Sequence, residues 1–115
     1  MPAGEINGML KFMVVVYRRP DLTPRQFRRH FEEIHGPLAK QLPGLKKYVQ
    51  NHVSPDSTRE APGWDAIVEL YFDDRAAMEA AWNSPQGAAS DADLPEFADM
   101  TRTKWSVVEE VTVLP

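Results

Sequence analysis

The stretch FEEIHGPLAKQLPGLKKYVQNH, residues 31–52, decides how this chain is read. It sets a histidine against Gly36-Pro37, follows with a second turn signal at Pro43-Gly44, and then runs into a strand-like segment carrying Tyr48, Asn51 and His52. Pro37 disfavours helical geometry at the residue before it, so a helix entering this stretch is expected to end near His35. Just upstream, Thr23, Pro24 and Gln26 make a capping-box pattern with proline at the first helical position. Phe27, Phe31, Ile34 and Leu38 then form one apolar stripe.

Working outward, residues 9–17 are apolar at nearly every position and β-branched in the middle, as in a strand buried on both faces. Residues 45–53 and 64–72 read as two further strands, separated by the polar loop SPDSTREAPG. Asp73 or Asp74 is placed to cap a second helix reaching about residue 83, with Met78, Ala81 and Trp82 inward. Residues 84–100 read as irregular with one helical turn near residues 95–100, and residues 104–113 as a closing strand. The order is βαββαβ over residues 1–115, one domain of α+β, ferredoxin-like class with a four-stranded antiparallel sheet. Two helices cover one face of such a sheet. The other face would carry either Tyr48, Gln50, His52, Ile67, Glu69 and Tyr71 or the opposite set, a mixed surface suited to a homodimer through the sheet face.

Composition narrows the function. The net charge of −4 argues against a nucleic-acid surface. Cysteine is absent, which removes disulfides, thiolate nucleophiles and Cys-ligated metals. The longest apolar run, residues 12–17, is far short of the ~20 residues that span a bilayer. MPAGEING carries an acid where a secretory leader has a basic start, so a cytoplasmic protein is expected.

A metal site is not expected. Zincins set two histidines four apart on one helix face, whereas His30 and His35 are five apart, roughly 140° around a regular helix. His30 reads as a packed histidine. No serine sits in a Gly-x-Ser-x-Gly context. His35 leaves two readings open. It caps the helix C-terminus, where partial negative charge favours imidazolium, or it is the acid/base of a pocket, with burial opposing that field and holding it near neutrality. The scattered aromatic residues favour an apolar or aromatic ligand.

The segment RQFRRHFEEIHGPLAKQLPGLKKYVQNHV resembles the EthD family of dimeric α/β-barrel proteins. The matching elements are Phe27, His35-Gly36-Pro37-Leu38, Leu42-Pro43-Gly44 and Tyr48-Val49-Gln50-Asn51, and the element order matches across nearly the whole chain. The resemblance implies a protomer that pairs its sheet with a second copy, and a pocket between sheet and helices. The family includes a protein associated with ethyl tert-butyl ether degradation, a muconolactone isomerase, and dehydratases or cyclases of aromatic polyketides. Their chemistry implies no metal and no organic cofactor. A histidine matching His35 moves the proton, and a tyrosine matching Tyr48 lies near the substrate.

The expectation is therefore a cofactor-independent isomerase, dehydratase or cyclase acting on a small aromatic or lactone-type metabolite. The alternatives are a cofactor-free monooxygenase and a non-catalytic binding or accessory protein. His35 and Tyr48 are the expected catalytic pair, with Phe12, Asn51, Phe72 and Met78 expected around the substrate. Tyr48 and Asn51 alternate onto opposite strand faces. The resemblance turns Tyr48 inward, although Leu45, Lys47, Val49 and Asn51 are the more apolar set.

Overall fold

β1 (Leu10–Val16) lies inside an antiparallel sheet of order β2-β3-β1-β4, with β2 at Lys47–His52, β3 at Ala66–Phe72 and β4 at Lys104–Val108. The computed structural model describes residues 9–115, so the expectation about residues 1–8 lies outside the described residues. This is the ferredoxin-like α+β arrangement, in which helical crossovers separate β1 from β2 and β3 from β4 while β2 and β3 pair directly.

The register assigns the faces. Phe12, Leu70, Tyr48 and Val107 lie in one cross-strand row, and Val14, Val68, Gln50 and Trp105 in the next. Both rows lie under the helices, since Phe12, Val14, Tyr48, Val68 and Leu70 pack into or against the buried core. Lys11, Met13, Val15, Lys47, Val49, Asn51, Ile67, Glu69 and Tyr71 share the opposite face. This corrects the set expected from the sequence. Tyr48, Gln50 and His52 are not on the face of Ile67, Glu69 and Tyr71, because alternation within each strand says nothing about how two strands are shifted against each other.

α1 (Pro24–His30) starts as expected: Thr23 accepts from the Gln26 N–H while the Gln26 side chain accepts from the Thr23 N–H. It does not stop at His35. Phe31–His35 forms a π turn, and α2 (Gly36–Ala39) carries the helix on. The Gly36 N–H reaches back five residues to the Phe31 carbonyl. In an unbroken α-helix the Pro37 ring would crowd the carbonyl four residues earlier. The extra residue opens the ladder there, so the chain passes the proline without ending.

α3 (Arg75–Trp82) is capped by Asp74, which accepts from the Ala77 N–H. Residues 84–100 are not irregular as expected. Ser84 caps a further helix, α4 (Pro85–Asp93), and a 3₁₀ turn, Leu94–Glu96, follows. Gly87 lets α4 approach α3, since a Cβ there would stand 2.4 Å from the Ala81 carbonyl oxygen and 2.6 Å from that of Trp82. β4 ends at Val108, earlier than expected. Phe27, Phe31, Phe72 and Phe97 are the largest buried side chains of the core. Among the described residues no helix is long and apolar enough to cross a membrane.

Candidate active site

A cavity of about 320 Å³ lies between the covered sheet face and the helices. Its walls are apolar, with Phe12, Val14 and Leu70 from the sheet, Phe31 from the π turn and Trp82 from α3. Its polar lining comes from His35, Tyr48, Ser90 and Asp91. Met100 and half-exposed Trp105 stand at the solvent side.

His35 is 7% exposed and lines this cavity. It does not cap the helix. Its Nδ1 lies 3.0 Å from Oδ2 of Asp93, the last residue of α4. A carboxylate only accepts, so Nδ1 carries the proton and donates, and Nε2 keeps a lone pair. Nε2 has no hydrogen-bond partner among the described residues, and the ring that carries it lines the cavity. Burial holds His35 below its ordinary value of 6.5, while the Asp93 hydrogen bond and charge push the other way. The C-terminal field expected from the sequence plays no part here, because the helix continues past His35. Glu32 pairs with Arg28 on the outer surface.

Asp93 has a second imidazole. Nε2 of His30 lies 3.0 Å from its Oδ1 and 3.1 Å from its Oδ2. Both histidine rings pack on Phe97, His30 stacked at 5.0 Å and His35 tilted at 4.8 Å between centroids. The reading of His30 and His35 as pointing apart is corrected by the π turn, which brings a residue five positions on back to the same side. Among the described residues no cluster of three or more His, Asp or Glu side chains is arranged to hold a metal ion.

Tyr48 enters the cavity from β2 with a fixed hydroxyl orientation. Gln50 Nε2 donates 3.1 Å to the Phe31 carbonyl and 2.7 Å to the Tyr48 oxygen. The carbonyl can only accept, so that end of Gln50 must be its NH₂ group. Gln50 Oε1 then accepts from Nε2 of His52 at 2.9 Å. With its oxygen already accepting, Tyr48 has its own O–H free to donate. Burial pushes the phenol up to about 12, against the Gln50 hydrogen bond, so it stays protonated at neutral pH. A Cβ at Gly36 would stand 3.3 Å from the Phe31 oxygen, a tight contact, and 3.4 Å from Nε2 of Gln50.

Of the other expected residues, Phe12 lines the cavity and packs 5.3 Å from the Trp82 ring. Asn51 does not. It lies on the opposite sheet face, where it donates to the Ile67 carbonyl and to Glu69. Phe72 and Met78 are core residues outside the lining, Phe72 packing edge-on against Trp82 at 5.9 Å. Phe72 pairs with Leu10, one row beyond the Phe12–Leu70 row that meets the cavity. Asp93, Ser90 and Asp91 carry no role in the sequence reading, and Gln50 enters it only within the run Tyr48-Val49-Gln50-Asn51 and as a sheet-face residue. The one available cue was Ser84-Pro85, a cap followed by a first-position proline, which marks α4.

Residues 19–101 match the model of the EthD domain. The chain belongs to the EthD family. An uncharacterized 11.0 kDa protein from the thcB-thcC intergenic region of Rhodococcus erythropolis is 32% identical over 103 residues, spanning 90% of this chain and 97% of that protein. An EthD-family protein of known structure from Bacillus halodurans superposes with a TM-score of 0.76 at 25% identity, over 90% of this chain and 99% of that one. A dimeric ferredoxin-like protein of unknown function from Bacteroides fragilis gives 0.67 at 17% identity, over 90% and 97%. SnoaB, a cofactor-independent oxygenase from Streptomyces nogalater, gives 0.65 at 12% identity, over 93% and 97%, a likeness of fold alone. The EthD assignment agrees with the motif His35-Gly36-Pro37-Leu38, which in this chain builds the π turn and its proline exit.

Proposed function

We propose that this EthD protein is a cofactor-independent isomerase, dehydratase or cyclase that moves a proton on a small aromatic or lactone-type metabolite. The observation that carries the reading is His35, anchored through Nδ1 on Asp93 in a ring that lines an apolar cavity. In this reading Nε2 takes a proton from a carbon next to a carbonyl. Charge develops on the carbonyl oxygen, and the Tyr48 O–H donates to it. The imidazolium that forms is stabilised by Asp93. It then returns the proton, to another carbon in an isomerisation or to a departing hydroxyl, released as water, in a dehydration. Apolar walls strengthen each of these interactions by excluding water.

A cofactor-free monooxygenase shares the first step. His35 would deprotonate a phenol, and the resulting anion would reduce dioxygen, bonding one oxygen atom while the other leaves as water, with the substrate itself supplying all four electrons. The shared fold with a cofactor-independent oxygenase supports keeping this reading. An oxygen electrode separates the two, since proton transfer alone consumes no oxygen. For either, His35→Ala is expected to lower turnover at least ~100-fold. An unchanged rate removes His35 from the mechanism, and no turnover of any phenol, enone or lactone by the intact protein favours a binding role.

We also propose that the open sheet face pairs with a second copy. Met13, Val15, Val49 and Ile67 lie on it around the Lys11–Glu69 ion pair, and a similar structure is described as dimeric. Ile67→Asp is expected to shift sedimentation equilibrium to the monomer, and a wild-type monomer at high concentration would contradict the pairing.

A further inference from the structure

α4 presents an unusual face to the cavity. Gly87, Ser90, Asp91 and Leu94 fall at i, i+3, i+4 and i+7, spacings that share one helix side. A helix that served only to cover a core would carry apolar residues there. Gly87 seats the helix backbone against α3, and one turn later Ser90 meets the cavity, 6% exposed.

The Ser90 hydroxyl has no hydrogen-bond partner among the described residues, although it is neither at the surface nor sealed in packing. Two other hydroxyls, buried Thr103 and partly buried Ser84, are occupied. Thr103 accepts from the Tyr17 N–H, and Ser84 donates to the Ala81 carbonyl while accepting from Gly87. A helical serine can turn back to the carbonyl four residues earlier, and no such bond is formed by Ser90. A hydroxyl that lines a cavity without a protein partner is open to a hydrogen bond from a ligand there.

The cavity's charges point the same way. No lysine or arginine is among its lining residues, Asp91 stands at its rim, and Asp93 lies behind His35. An anionic ligand would enter against two carboxylates with no cation to receive it, at a large desolvation cost.

We propose that Ser90 hydrogen-bonds a second oxygen of the substrate, a neutral aromatic compound bearing a hydroxyl group besides the oxygen that Tyr48 engages, and that carboxylated aromatics are excluded. This rests on the reading of the cavity as the substrate site, and it names the class of compound that site takes.

The test uses binding, not turnover. Tryptophan fluorescence, from Trp82 and Trp105 at the cavity, follows titration of the intact protein with 2-naphthol, with a panel of naphthalenediols and with 2-naphthoate. The wild type is expected to bind at least one diol ~3- to 10-fold more tightly than 2-naphthol, the range one neutral hydrogen bond supplies. Naphthoate should bind more weakly than the naphthol. Ser90→Ala should abolish the diol preference while binding 2-naphthol as before, and Ser90→Thr should retain it. No diol preference in the wild type, a preference that survives Ser90→Ala, tighter binding of naphthoate, or no binding of any probe would overturn the proposal. The titration reads binding and the His35→Ala rate reads turnover, so loss of the Ser90 effect and failure of the proton-transfer reading are distinguishable.

Discussion

His30 and His35 meet on one carboxylate, each with a ring nitrogen 3.0 Å from an oxygen of Asp93. On a regular helix residues five apart would diverge by roughly 140°. The π turn at Phe31–His35 brings them back to one side, and Phe97 backs both rings. Asp93 is thereby held twice, and the His35 ring is fixed with its protonated nitrogen away from the cavity.

Asp93→Asn is expected to lower the rate by ~10² to ~10⁴-fold, the range of a lost acid/base contribution. The acid limb of the pH–rate profile should also move to lower pH. Asp93 raises the His35 pKa by hydrogen bond and charge, Asp91 adds a smaller push upward, and His30 pushes downward. Removing the carboxylate charge deletes the main upward contributions, and a base is active above its pKa. An acid limb that stays in place would show that Asp93 serves packing alone.

Stability should fall with acid before the carboxylates titrate. Burial holds His35 and His52 below 6.5 in the folded chain. Between that depressed value and 6.5 the unfolded chain binds more protons, so stability rises with pH through the window and is lost as pH drops through it. Melting temperature measured from pH 7.5 to 5.5 should decline, and His35→Leu should flatten part of the decline. An equally steep decline in that variant would contradict the burial account.

Two glycines should differ in cost. At Gly36 an added Cβ meets atoms at 3.3 and 3.4 Å, and Gly36→Ala is expected to change stability by less than about 1 kcal/mol in urea unfolding, the tight contact offset by the better helix propensity of alanine. At Gly87 the nearest atoms are backbone at 2.4 to 2.8 Å, and Gly87→Ala should cost about 3 kcal/mol or more because α4 must move as a unit. Equal costs would mean that the two helices are not in fixed contact.

These contrasts show where reading from sequence stops. The Thr23 capping box, the strands and the element order follow from local chemistry, and each appears within a few residues of its expected place. The resemblance oriented Tyr48 correctly where apolar count favoured Asn51, because β2 presents a hydrogen-bonded polar row, Tyr48-Gln50-His52, to the covered side. α4 was missed because its inward face is polar, and periodicity detects only apolar faces. Asp93 stands 58 residues from His35, and no local pattern ties the two. The π turn was hidden by Pro37, which signals an end in most helices.

Tyr48→Phe should lower the rate by ~10² to 10³-fold if its O–H meets a developing oxyanion. Its phenol is pushed up to about 12, so no alkaline limb from Tyr48 should appear near neutral pH. Thermal unfolding should change little, since ring packing is kept and only the Gln50 hydrogen bond is lost. A full-rate Tyr48→Phe protein would remove Tyr48 from the chemistry.

The most direct measurement is a long-range ¹H–¹⁵N NMR correlation of the His35 ring at pH 7. Protonated Nδ1 with unprotonated, basic Nε2, titrating below 6.5, is the expected result. A proton on Nε2, or an imidazolium at that pH, would leave no lone pair facing the cavity and would contradict proton abstraction by His35.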